Sequence, residues 1–154
     1  MFKILFVCHG NICRSPMAEM VMKNIVKNAG LQDTVFVESA ACRRDEIGSP
    51  MHRGTRSKLL EKKVPFTDHR ARLITQQDYK DFDLIIAMDE ENIRDLDRKF
   101  AGDPEKKCHR LLHYAGINRD VADPWYTGNF DATWDDVLKG CTALLEQLKD
   151  KQTL

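Results

Sequence analysis

Residues 2–29 restrict the fold more than any other stretch of the chain. Phe2 to Val7 is a short apolar run of strand length, and Met17, Val21, Met22, Ile25, Val26 and Ala29 recur at helical spacing. Between them Cys8-His9-Gly10-Asn11-Ile12-Cys13-Arg14-Ser15-Pro16 leaves room for one tight loop. Pro16 suits the first helical turn and Gly30 the helix end. Ser15 is placed to cap the helix, although Glu19 falls one residue too late for a capping box. In such a loop the N–H groups of His9, Gly10, Asn11, Ile12 and Cys13 can turn inward beside the positive end of a helix. That forms a cradle for an oxyanion, to which Arg14 adds a planar fork. The same field acts on Cys8, whose thiol is expected to ionise well below the free value of about 8.5, at roughly 4–7. The thiolate would face the phosphorus while Arg14 and the amides hold its oxygens, and Ser15 can hydrogen-bond the sulfur. A buried structural Cys is the other reading of position 8, but it would not call for the neighbouring Arg14.

Strand-length apolar runs alternate with helical patterns through the rest of the chain. Thr34 to Ala40 reads as a second strand that delivers Ser39 to the edge where Cys8 emerges, and Cys42 to Pro50 reads as a loop. Met51 to Lys63 reads as a helix weakened by Gly54 and ended by Pro65. Phe82 to Met88 is a third strand; Ile93, Leu96 and Phe100 mark the helix after it, and Leu111 and Leu112 suggest a last short strand within 109–113. Trp134, Val137, Leu138, Cys141, Leu144, Leu145 and Leu148 form the stripe of a closing helix, which makes Cys141 a core residue. The alternation predicts a three-layer α/β fold with a parallel sheet covered by helices on both faces. At 154 residues without repeats, the chain (1–154) is expected to be a single domain.

Charge narrows the partners. Lys plus Arg and Asp plus Glu both number 24, so there is no overall basic field for nucleic acid or a membrane surface. The N-terminal apolar run is too short for a secretory core, and a cytoplasmic protein is expected. Five cysteines at irregular positions (8, 13, 42, 108 and 141) argue for reduced thiols and no metal site. Arg43, Arg44 and Arg53 could favour acidic residues around a substrate, or could simply form a solvated face.

The segment Cys8 to Pro16 resembles the signature loop of the low-molecular-weight protein tyrosine phosphatases. Ser39-Ala40-Ala41, Glu46-Ile47-Gly48, His69-Arg70-Ala71-Arg72, Met88-Asp89-Glu90 and Asp123-Pro124-Trp125-Tyr126 follow in that family's order. The resemblance implies a flavodoxin-like sheet of about four strands in the order 2-1-3-4, with the site at the switch point. It implies hydrolysis of protein phosphotyrosine and small aryl phosphates through a cysteinyl phosphate, with no metal or organic cofactor and with inorganic phosphate and similar oxyanions as inhibitors. A monomer is expected, with weak self-association left open.

Transfer of a phosphoryl group to sulfur needs a proton for the departing oxygen, and the loop holds no carboxylic acid. Asp123 is the best candidate, stiffened by Pro124 and followed by Trp125 and Tyr126, which can wall a slot for a phenyl ring; the resemblance places the family's general acid at this Asp. Taken alone, Asp123-Pro124 also reads as the start of a turn, Trp125 and Tyr126 as rim packing, and His69 as an ordinary surface or core histidine. The resemblance further implies that Asn11 bonds Ser15, Ser39 and His69, that Ile47 forms the other wall of the slot, and that Cys13 can form a reversible disulfide with Cys8. His9 stands where an apolar residue is common in the family, and Asp89 matches a family position without a defined role. Other readings are an arsenate reductase, disfavoured because no relay cysteine lies between Cys42 and Cys108, and a silent phosphotyrosine-binding or redox-sensing module, disfavoured by Asp123.

Overall fold

The computed structural model describes residues 1–151 and 154. Strands β1 (Phe2–Cys8), β2 (Val35–Ala41), β3 (Leu84–Ala87) and β4 (Cys108–Arg110) form one sheet in the order β2-β1-β3-β4, and every pairing is parallel. Parallel pairing requires a crossover between neighbours, and helices cover both faces as a result. Side chains of β1 alternate accordingly: Ile4, Phe6 and Cys8 join one apolar layer, while Leu5 and Val7 join the other. The first layer is closed by α1 (Arg14–Asn28), α2 (Arg53–Glu61) and α6 (Phe130–Asp150). The second is closed by α3 (Gln76–Asp81) and α4 (Glu90–Lys99). A four-residue helix, α5 (Pro124–Thr127), precedes α6.

The structure departs from the sequence expectation at three places. The last strand is Cys108–Arg110, and Leu111 and Leu112 belong instead to a 3-10 turn, Leu111–Ala115. In a strand these two would point to opposite faces, whereas here both are buried in the same apolar layer. Helix α3 carries no long apolar periodicity. It is set by a reciprocal capping box in which Thr75 Oγ1 accepts from Asp78 N and the Asp78 carboxylate accepts from Thr75 N. Ser15 does not cap α1; the N-cap is Cys13 without a side-chain bond, and the Ser15 hydroxyl faces the preceding loop.

Gly140 lets α6 lie directly on the 3-10 turn: a Cβ there would stand 2.4 Å from Leu111 Cγ and 2.9 Å from its Cδ1. Leu111 is wholly buried and cannot swing away. Gly140→Ala gains about 1 kcal/mol of helix propensity but overpacks a closed core, a cost of about 1–3 kcal/mol. The variant is therefore expected to melt several degrees below the parent in a calorimetric scan; an unchanged or higher Tm would contradict this account of the contact.

Candidate active site

Four connections meet at the carboxyl edge of the sheet, and the loop after β1 lies among them. Five of its carbonyls are taken by protein donors outside the loop. Cys8 O accepts from Cys42 N (2.9 Å), His9 O from Arg43 N (3.1 Å), Ile12 O from His52 N (2.8 Å) and Cys13 O from Thr55 Oγ1 (3.2 Å). His69 Nε2 donates to Asn11 O (2.8 Å), which assigns the proton to that ring nitrogen. The N–H groups of residues 10–15 have no protein acceptor among the described residues. The loop is thus a ring of unspent donors at the N-terminus of α1, suited to an oxyanion.

Asn11 holds that ring open. It adopts φ 61°, a left-handed conformation that Asn tolerates better than most residues. Its side chain is fully buried and every polar atom is used: Nδ2 donates to Ser15 Oγ and Ser39 Oγ, both at 2.9 Å, and Oδ1 accepts from Arg72 N at 3.2 Å. Ser39 passes its hydrogen to Glu19 Oε1 (2.6 Å), and Lys23 neutralises Glu19 from the next helical turn (2.6 Å). Asn11, Ser15, Ser39 and His69 therefore stand together as the resemblance implies, and Glu19 completes the network. Its signal in the sequence is an acidic residue inside the apolar run Met17 to Met22.

Cys8 Sγ lies 3.0 Å from Ser15 Oγ. That hydroxyl already accepts from Asn11, so its one hydrogen is free to point at the sulfur. Arg14 is buried, with Nη2 2.9 Å from Asp89 and 3.4 Å from Asp123, and Nη1 donating to Val121 O at 3.3 Å. Asp89 also caps α4 by accepting from Asn92 N at 2.7 Å, so it ties the guanidinium to the end of β3. Asp123 accepts from Trp125 N (3.0 Å), and its loop is pinned to α6 by Thr133 Oγ1 to Ala122 O (2.8 Å) and by Asp136, which takes Ala122 N (3.0 Å) and Arg119. Burial opposes ionisation of Asp136, yet Arg119 and the amide hold its carboxyl below the usual range.

Cys8, Arg14, Asp89 and Asp123 line one cleft of about 220 Å³ together with His9, Gly10, Ile12, Cys13, Asp45, Glu46, Glu91, Trp125 and Tyr126. Trp125 and Tyr126 are exposed on its rim, at 59% and 84%. Ile47 is exposed and lies outside the lining; Glu46, packed close to Gly10, takes that side of the mouth. Burial first, then the charges at Cys8 and Asp123, push the Cys13 thiol up to about 12, and burial likewise raises Cys42 and Cys108. Among the described residues no cluster of His, Cys, Asp and Glu is arranged to hold a metal ion. Arg43 is taken up by Asp95, at 3.1 and 3.2 Å, and by Glu91 at 3.7 Å.

His9 bridges the mouth, with Nε2 2.5 Å from Asp45 and Nδ1 3.4 Å from Glu91. The Asp45 hydrogen bond outweighs burial and the nearby Arg43, so the imidazole pKa stands above its usual 6.5. Because the folded value is the higher one, the ion pair is complete below about 6.5 and is lost as pH rises through the raised value. A proton NMR titration should find His9 titrating above an ordinary histidine and Asp45→Asn bringing it down. An unshifted His9, or one indifferent to Asp45→Asn, would contradict the bridge.

Comparison with known proteins agrees with this geometry. Residues 3–154 match the family model described as low molecular weight phosphotyrosine protein phosphatase. The chain is 42% identical over 156 residues to the Bacillus subtilis low molecular weight protein-tyrosine-phosphatase YfkJ, covering 99% of each chain. The crystal structure of YfkJ superposes with a TM-score of 0.94 over 98% of this chain and 96% of that one. SP-PTP, a low molecular weight protein tyrosine phosphatase from Streptococcus pyogenes, gives 0.87 at 40% identity over 96% and 93% of the two chains. DARP, a drosophila arginine phosphatase, gives 0.88 at 33% identity over 96% and 98%. The sequence match and the shared fold together place this chain in the low molecular weight phosphotyrosine protein phosphatase family.

Proposed function

We propose that the chain, acting as one cytoplasmic domain over residues 1–154, hydrolyses phosphotyrosine in proteins and small aryl phosphates through a cysteinyl phosphate on Cys8. The supporting observation is that the loop from Gly10 to Ser15 keeps its N–H groups unspent and lines one cleft with Cys8, Arg14 and Asp123. The amides and the Nε and remaining Nη1 hydrogens of Arg14 hold the phosphoryl oxygens. The thiolate of Cys8, steadied by the Ser15 hydroxyl, attacks phosphorus; the bond to the tyrosine oxygen breaks, and that oxygen takes the proton of Asp123. The Asp123 carboxylate then removes a proton from water. The oxygen of that water attacks phosphorus, the P–S bond breaks with sulfur leaving as thiolate, and inorganic phosphate is released. Inorganic phosphate and similar oxyanions inhibit by occupying the same cradle.

The aromatic rim bears on substrate choice. A fold shared with an arginine phosphatase does not select the phosphorylated side chain, whereas exposed Trp125 and Tyr126 offer faces for a phenyl ring. Arsenate reduction would need a relay of further thiols, and no cysteine lies between Cys42 and Cys108.

Two variants test the roles. Cys8→Ser should reduce turnover of p-nitrophenyl phosphate to background. Asp123→Asn should lower kcat by about 10²–10⁴-fold, with a greater loss on phenyl phosphate, whose poorer leaving group depends more on the proton. Substantial turnover by Cys8→Ser, or equal losses on both substrates, would overturn the assignment.

A further inference from the structure

The catalytic cleft continues past its wall into a second, shallower groove. Ile12, Glu46 and Trp125 belong to both, and beyond them lie Pro50, Met51 and the first turn of α2. At the wall between the two, His52 meets Trp125 edge-on at 6.1 Å and stacks on Phe130 at 5.4 Å. At the far end of the groove stand Arg53 and Arg56, both exposed and three residues apart on one helical face. Neither has an ion-pair partner among the described residues, in contrast to Arg43, Arg72, Arg110 and Arg119, which are all engaged by carboxylates.

The placement of these arginines works against the helix itself. The N-terminus of α2 is the positive end of its dipole, where acidic residues stabilise and cations destabilise, and its first turn contains no acid. On the other side of the mouth the charged groups are partnered: Asp45 and Glu91 both meet His9, and Glu91 also meets Arg43. Glu46, the acid shared by cleft and groove, is engaged by Ser49 Oγ at 3.0 Å. The groove thus has an apolar floor beside the phosphoryl site and unbalanced positive charge at its end.

We infer that this groove binds the polypeptide flanking the phosphorylated tyrosine, with Arg53 and Arg56 selecting substrates that carry acidic residues within a few positions of it. The inference rests on the function proposed above and names its substrate class. The occupant is fixed by continuity and by charge. A phosphotyrosine whose phosphate sits in the cleft would have its main chain near the exposed Trp125 and Tyr126, and the next few residues, at about 3.3–3.6 Å each, would have the groove within reach. Pro50 would pack against the chain, and the guanidinium forks would take carboxylates.

Paired phosphotyrosine peptides, identical except for Glu or Lys at the positions two to four residues to either side, test this with the whole protein. The Glu peptides should be hydrolysed with a kcat/KM about tenfold higher at low salt, an effect of two partly screened ion pairs. It should lie in KM and shrink as ionic strength rises. Arg53→Gln with Arg56→Gln removes positive charge from a positive helix end, so folding is not at risk. That double variant should abolish the preference while turning over p-nitrophenyl phosphate like the parent. A parent that hydrolyses p-nitrophenyl phosphate but does not favour the Glu peptides, or a preference that survives the double variant, overturns the groove assignment alone. A parent inactive on both p-nitrophenyl phosphate and the peptides overturns the catalytic reading and the groove with it.

Discussion

The buried amide of Asn11 is the interaction on which the site depends. Left in an apolar interior without partners it would be costly, so its bonds to Ser15, Ser39 and the Arg72 amide compensate desolvation before they add stability. Each such bond contributes only about 1 kcal/mol net. Their larger consequence is directional. With Asn11 fixed at positive φ and its carbonyl held by His69, the neighbouring peptide planes turn their oxygens outward and their hydrogens inward. One side chain therefore joins α1, β2 and the 69–72 segment, and the same bonds orient Ser15 toward Cys8.

A second set of contacts organises the charges around that ring. Arg14 is buried and would be intolerable alone, but Asp89 from the end of β3 and Asp123 from the start of α5 meet it from two directions. The arrangement brings a guanidinium and two carboxylates together from separate loops. Their relative positions then rest on α4, capped by Asp89, and on α6, which carries the Asp123 loop through Thr133 and Asp136. A chain of zero formal net charge thus concentrates its electrostatics locally.

Much of this was legible in the residues because the determinants are local. The alternating runs, together with the order implied by the resemblance, anticipated the parallel sheet β2-β1-β3-β4, and the pattern around Cys8 fixed strand, loop and helix in sequence. What stayed hidden depends on contacts between distant segments. Leu111 and Leu112 looked like a strand because a short apolar pair has no period, and only packing under α6 decides otherwise. Glu19, Asp89 and the Asp45 and Glu91 partners of His9 took their roles from neighbours up to 82 residues away. In the loop between β2 and α2, Glu46 lines the cleft and its neighbour Ile47 is exposed beside it.

The central claim is that hydrogen bonds of the Asn11 side chain, and not the left-handed backbone alone, keep the cradle formed. Asn11→Gly separates the two, because glycine accepts positive φ freely while losing every one of those bonds. Titration calorimetry with inorganic phosphate, comparing the parent with Asn11→Gly, is the direct measurement. The account predicts an affinity at least about tenfold weaker in the variant; phosphate bound as tightly as by the parent would contradict it.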